Sequence, residues 1–278
     1  MKHNKIKAVF VDLDGTLMHG VDTVTNRTRA AFAKVREKGI LPIICTGRGP
    51  YDVETAAEAI GADRYLISLS GLAVYRDYRQ KKLLMTKTLP ANAVEQCLEL
   101  LLREKNLFFE IYSQEGAFCQ ADRVKYIGGC GMDEEHIRYY RKRQTVVPDI
   151  RAAIEEKRFR PMVVFTCVAD TDVFQRILGC FQHISGVQVH FPCPHYMDVI
   201  PSDADKRFGV RAVCQDMGLK PEEIMAIGDS DNDLGMFEEA GVCVAMGNAC
   251  KEIKAKAHFI TLDNLHDGVA YALEQLLI

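Results

Sequence analysis

A doubly wound α/β sheet, interrupted once by an inserted α+β module, is the fold predicted by this 278-residue sequence. Three observations predict it. Short apolar runs such as "AVFV" and "IMAIG" alternate with amphipathic stretches of helical length, the pattern of right-handed βαβ units and a parallel sheet covered on both faces. The rhythm breaks after Gly71 and returns nearer the C-terminus. Between the two halves, helices mix with strands of alternating polarity, the pattern of a separate α+β unit.

Each element can be justified in order. Residues 8–11 are continuously apolar and suit a strand buried on both faces. Thr25 is a suitable N-cap and Gly39 a suitable C′ residue for a helix whose Ala30, Ala31, Phe32 and Val35 lie on one stripe. The strand "ILPIIC", a helix over 51–60 closed by Gly61, and the strand "YLISL" follow. "LAVYRDYRQKKLLMTKTL" predicts a polar-tipped hairpin. The module then runs helix ("ANAVEQCLELLLREK"), strands ("LFFEIYS", "GAFCQ"), a charged helical stretch, the strand "PMVVFTCV", a helix and "VQVHF". "MDVIP" is read as the return to the core, followed by a helix over 206–217, the strand "IMAIGD", the helix "NDLGMFEEAG", the strand "VCVAM" and a closing helix. The expected division is a core of residues 1–83 and 190–278 with an insert of 84–189.

Composition narrows the class. Apolar residues make up 48% of the chain, enough for a substantial core, and the formal net charge is only −3. No nucleic-acid or membrane partner is expected from that balance. "RYYRKRQ" reads as a solvated helix face. The N-terminus enters the first strand almost directly, without a signal peptide, and the ten cysteines form no CxxC pair and sit mostly in apolar runs. A cytoplasmic protein with buried thiols is expected, as a monomer or small homo-oligomer. The eight histidines contain no HExxH pair, and Cys193 with His195 lacks further ligands, so no zinc site is expected.

Chemistry is expected beyond the carboxyl ends of the strands, where open parallel sheets bind ligands. Asp12, Asp14 and Gly15 follow the first strand; Thr46, Gly47 and Arg48 follow the second; Lys206 heads a helix; "GDSDND" contributes Asp229, Asn232 and Asp233. Each has a bland explanation as an acidic turn, a cap, a surface lysine or a first-turn carboxylate. Their joint recurrence at one sheet edge favours function. Neighbouring carboxylates repel one another and lose hydration, so a cation is needed, and hard oxygen ligands favour Mg²⁺. Thr46, Lys206 and the backbone N–H groups near Gly15 suit phosphoryl oxygens, while two adjacent aspartates suit nucleophile and acid/base.

"DLDGTL", "TGR", a helix-leading lysine and "GDSDND", in that order, resemble the four motifs of the haloacid dehalogenase superfamily. The large insert between the second and third motifs is similar to that of the Cof-type branch with its class IIB cap. The resemblance implies a Rossmann-like core with an inserted cap and a Mg²⁺-dependent phosphatase acting on a small phosphorylated metabolite, such as a sugar phosphate. It implies Asp12 as nucleophile, forming an aspartyl-phosphate, and Asp14 as acid/base that also offers its backbone carbonyl to Mg²⁺. It further implies Thr46 and Lys206 as phosphoryl ligands, Asp229 as metal ligand and Asp233 as support for the metal site. Asn232 would orient the phosphate or Lys206, and Arg48 would face cap or substrate. Two departures stand out. Ser70, Gly71 and Leu72 occupy the place of Asn-Gly-Ala, and Arg207 follows Lys206 where glycine is usual, with Arg207 the fallback for the lysine role. Two other readings use the same residues: a phosphomutase or phosphotransferase with a sugar hydroxyl as acceptor, and a phospho-accepting sensor.

Overall fold

The computed structural model describes residues 5–130, 132, 134–191 and 195–278. The expectation concerning Cys193 therefore lies outside the described residues. The chain divides into two compact units, residues 1–86 with 205–278, and residues 87–204.

The first unit begins with β1 (Ala8–Val11), whose four residues are all buried. Helix α1 (Asn26–Glu37) is capped by Thr25, whose side chain accepts from the Thr28 amide, and buries Ala31, Phe32 and Val35. β2 (Leu41–Cys45), α2 (Glu54–Ile60) and β3 (Leu66–Ser68) complete two crossovers between parallel strands. β4 (Ala73–Asp77) and β5 (Lys82–Thr86) form the expected hairpin: β4 runs antiparallel to β3 and β5 antiparallel to β4, with two register shifts along the β4–β5 pairing.

The second unit contains α3 (Ala91–Arg103), β6 (Phe108–Tyr112), β7 (Ala117–Gln120), α4 (Glu134–Arg143), β8 (Gln144–Val147), α5 (Ile150–Glu155), β9 (Val163–Cys167), α6 (Thr171–Phe181), β10 (Val187–His190) and β11 (Tyr196–Pro201). Its six strands lie in the order β10-β11-β9-β6-β7-β8. The period-2 geometry of strands sorts its side chains onto two faces. Phe109, Ile111, Val164 and Val199 join Leu98, Leu101, Ile177 and Phe181 of the helices in one apolar core. Glu110, Tyr112, Phe165 and Asp198 alternate with them. Arg143 of α4 meets this second set, donating to Glu110 Oε2 at 3.3 Å and to the Tyr112 hydroxyl at 3.2 Å, with its guanidinium 4.2 Å from the centre of the Tyr140 ring. Burial pushes the Asp198 carboxyl up to about 7 against the opposing pull of Arg143. The rest of the basic run is solvated as expected: α4 buries no residue completely.

The first unit resumes with α7 (Lys206–Met217), β12 (Ile224–Gly228), α8 (Leu234–Glu239), β13 (Val242–Ala245), α9 (Lys251–Lys256), β14 (Phe259–Ile260) and α10 (Gly268–Leu276). Its sheet order is β14-β13-β12-β1-β2-β3-β4-β5. β12, β1 and β2 pair in parallel register, Val11 opposite both Ile227 and Ile44. The strand order reverses between β1 and β12, which is the topological switch point where such sheets open a ligand crevice.

Two expectations need correction. The expected boundaries after residue 83 and before residue 190 move to 86/87 and 204/205. "MDVIP" belongs to β11, which pairs antiparallel with β9 and β10 in the second unit. Burial alternates over its first four residues, with Met197 and Val199 buried and Tyr196 and Asp198 half-buried. The expectation of buried thiols holds at Cys45, Cys97, Cys119, Cys214 and Cys243, whereas the free thiol of Cys180 is exposed and that of Cys250 half-buried. It fails at Cys167, which is disulfide-bonded. Among the described residues no helix is long and apolar enough to cross a membrane.

Candidate active site

Asp12 extends β1 by one residue, its amide bonded to the Ile227 carbonyl at 3.0 Å. The chain then makes a wide turn in which the Leu17 and Met18 amides reach back to the Asp12 and Leu13 carbonyls. Gly15 is required in this turn. Its φ is +74°, and a Cβ there would run into the Asp229 carboxylate.

Lys206 is the hub. It is 1% exposed, and its Nζ donates to Asp12 Oδ1 at 2.6 Å and to Asp233 Oδ1 at 2.7 Å. Its position follows from local sequence: Asp205 caps α7 by accepting from the Arg207 amide, which leaves Lys206 as the first helical residue. Asp233 Oδ2 accepts from the amides of Asp229 and Ser230 at 2.9 and 3.1 Å, so the same carboxylate fixes the loop that carries Asp229. Asp229 Oδ1 accepts from the Thr16 hydroxyl at 2.8 Å. Asp12, Asp229 and Asp233 each offer an oxygen within 4.8 Å of the others.

The electrostatics match this crowding. Burial raises the Asp12 carboxyl well above its usual range, Lys206 opposes that rise, and Asp233, Asp229 and Asp14 add to it. Asp229 is pushed up to about 6, first by burial, with the Thr16 hydrogen bond acting against the shift. Burial disfavours the Lys206 ammonium, yet Asp12 and Asp233 outweigh it and raise its proton affinity. Two buried carboxylates thus share one ammonium, and the third lies beside them. A divalent cation would relieve that excess, and the donor set of carboxylate oxygens fits Mg²⁺.

The remaining expected residues are placed less uniformly. Thr46 is fully buried after β2, its Oγ1 accepting from the Arg48 amide at 3.1 Å and its carbonyl from the Ser70 amide at 3.0 Å. Gly47 leaves room beside Ser70 and Asn232, and Asn232 Nδ2 donates to Ser70 Oγ at 3.4 Å. Asp14 is exposed, and Arg48 bonds it through Nε at 2.9 Å and Nη2 at 2.6 Å. Arg48 also reaches the Val21 carbonyl at 2.7 Å. Arg207, the fallback for Lys206, pairs with Glu238 at 2.7 Å. Among the cap residues, Arg123 donates to the Leu102 and Glu104 carbonyls, and Tyr112 is buried.

Sequence reasoning missed two residues here, Thr16 and Asn248, and saw Ser70 only as a departure from the usual Asn-Gly-Ala. Asn248 follows β13, where its Nδ2 donates to the Gly15 carbonyl at 2.8 Å and lies 3.4 Å from Asp229 Oδ2. Thr16 stood inside "DLDGTL" and could have been found there. Asn248 carries no charge, and its principal partner is a backbone carbonyl, so no pattern of residue types marks it.

An α/β sheet whose carboxyl edge gathers carboxylates, hydroxyls and one buried lysine at its switch point suits the handling of phosphoryl groups. The family model for haloacid dehalogenase-like hydrolases matches residues 9–273, and the chain belongs to that family. A 5-amino-6-(5-phospho-D-ribitylamino)uracil phosphatase of Bacillus subtilis is 27% identical over 98% of both chains. A pyridoxal phosphate phosphatase of Escherichia coli is also 27% identical, over 98% of this chain and 99% of its own. Among solved structures, a haloacid dehalogenase-like hydrolase from Bacteroides thetaiotaomicron superposes with a TM-score of 0.81 at 24% identity, covering 98% of this chain and 99% of its own. The enzyme is a phosphatase of the Cof-type branch, with a core and an inserted cap.

Proposed function

We propose that the enzyme hydrolyses small organic phosphomonoesters through a phosphorylated Asp12, with Mg²⁺ bound beside it. The observation that carries this reading is the Lys206 bridge between Asp12 and Asp233 with Asp229 alongside. Asp12 and Asp229 would hold the ion, together with the Asp14 carbonyl. Asp233 serves as support, because Lys206 and two amides already occupy both its oxygens. When bound, Mg²⁺ supplies positive charge against the negative charge of the phosphoryl group.

The residues of the chain divide the remaining work. Lys206 favours the ionised form of Asp12 against the pull of burial and offers charge to the transferring phosphoryl oxygens. A carboxylate oxygen of Asp12 attacks phosphorus as the bond to the leaving oxygen breaks, and Asp14 gives that oxygen its proton. Asp14 then takes a proton from water, whose oxygen attacks phosphorus and releases inorganic phosphate and free Asp12. Thr46 and Asn232 orient the phosphoryl group, with Gly47 leaving the space.

The substrates named for the two relatives are phosphate esters of small nitrogen heterocycles, and compounds of that kind, beside sugar phosphates, form the first panel to assay. In Asp12→Asn, release of phosphate from p-nitrophenyl phosphate should fall below detection while the fold is retained. Near-full activity in that variant would overturn the assigned nucleophile.

A further inference from the structure

We infer that Asn248 is a positioning residue for phosphoryl transfer: it sets the direction of a peptide unit in the turn after Asp12 and steadies Asp229. The inference rests on the proposed phosphatase chemistry of Asp12. It follows from a chain of four contacts. The Asn264 amide donates to Asn248 Oδ1 at 3.2 Å, and this fixes which end of the side-chain amide is which. Nδ2 therefore faces the Gly15 carbonyl at 2.8 Å and Asp229 Oδ2 at 3.4 Å. The Asn264 side chain donates in turn to the Met18 carbonyl at 3.1 Å. Two asparagines from the loops after β13 and β14 thus grip the catalytic turn at both ends.

The chemical consequence comes from peptide planarity. In a trans peptide the C=O and the following N–H point in opposite directions. Holding the Gly15 carbonyl on the Asn248 side turns the Thr16 N–H away from it. A backbone donor in this turn is useful to a phosphoryl group only if its direction is set before the charge develops. Gly15 itself resists no rotation, since glycine tolerates most backbone angles, so an outside restraint is needed. Asn248 supplies it. Thr16 and Asn248 also flank the two oxygens of Asp229, which limits rotation of that carboxylate.

Asn248→Asp tests this, because it keeps the shape and replaces the donor with an acceptor aimed at the Gly15 carbonyl. Asn248→Ala removes the donor without adding repulsion. With p-nitrophenyl phosphate, kcat of Asn248→Asp should drop on the order of tenfold to a hundredfold, as for other residues that orient ligands from behind. KM should stay within about threefold, and binding of orthovanadate, measured by calorimetry, should weaken in parallel with kcat, as for a mimic of the transition state. Mn²⁺ binding followed by electron paramagnetic resonance should be retained, since a carboxylate has been added. Asn248→Ala should fall between this variant and the wild type. A kcat within about twofold of wild type in Asn248→Asp overturns the inference. So does a loss equal in both variants and matched by lower melting temperature and lost Mn²⁺ binding, which would make the residue merely structural. Failure of the wild type to release phosphate would sink the proposed chemistry instead, while the vanadate comparison would still decide the role of Asn248.

Discussion

Replacing Lys206 by methionine should destabilise the core unit while also stopping catalysis. The side chain is 1% exposed and its two acceptors lie at 2.6 and 2.7 Å. At an effective dielectric of about 20, each such contact is worth about 6 kcal/mol of Coulomb attraction, most of it offset by desolvation of the three groups. What methionine leaves behind decides the outcome: two buried carboxylates with their shared cation gone. Breaking a buried pair in this way costs about 3–5 kcal/mol. For a chain of this size that corresponds to about 6–20 °C in melting temperature. Circular-dichroism melts in EDTA, followed by urea titration, would measure it. Lys206→Met/Asp233→Asn, which removes one stranded charge, should recover part of the loss. A single variant melting within about 2 °C of wild type would refute the reasoning, because the buried charges would then be compensated by something other than Lys206.

Two further outcomes follow from contacts outside the Lys206 hub. The Asp198 carboxyl, raised by burial from 3.8 to about 7, keeps its proton in the folded chain over a range where the unfolded chain has lost it. The folded state is therefore favoured below pH 4 and loses that advantage as pH rises to about 7, a difference of at most about 4 kcal/mol. Asp198→Asn should melt higher than wild type at pH 8, keep only part of that margin at pH 5 and lose most of it by pH 4; an equal difference at pH 8 and pH 4 would contradict the assignment. Arg48→Gln, which frees Asp14 from its two-pronged contact, should slow alkyl phosphates on the order of tenfold or more. It should change p-nitrophenyl phosphate by less than about threefold, because p-nitrophenolate leaves without a proton. Equal slowing of both substrates in kcat/KM, which reports departure of the leaving group and not the later hydrolysis shared by both, would show that Arg48 acts on something other than Asp14.

The parts of the site that were legible in the sequence are those where strand ends and charge coincide. Asp12 and Asp229 ended apolar runs that could only be buried strands, and neighbouring strands of a parallel sheet bring such ends together. Lys206 was legible because it heads an amphipathic helix, although nothing in the sequence showed that it would be buried. The contacts of Arg48 were not legible because a long side chain can reach several partners, and only the fold shows that it bonds Asp14 and the Val21 carbonyl. "MDVIP" was placed in the wrong unit because five residues with three apolar side chains suit either kind of strand. The alternation of Tyr196 and Asp198 with Met197 and Val199 carried the answer. Cys167 escaped because it stands in the apolar run "PMVVFTCV", where a cysteine reads as a small buried thiol.

The two borders of the core sheet have a bearing on how this chain behaves at high concentration. An open sheet ends in unpaired amides and carbonyls that invite accretion of further copies. Here one margin is a strand of only two residues, Phe259 and Ile260, too short to template an addition. The other is β5, whose irregular pairing with β4 and leading Lys82 deny a newcomer a flat, uncharged partner. Fibrillar growth from the native core is thus blocked at both rims, and crowded refolding should go astray elsewhere first.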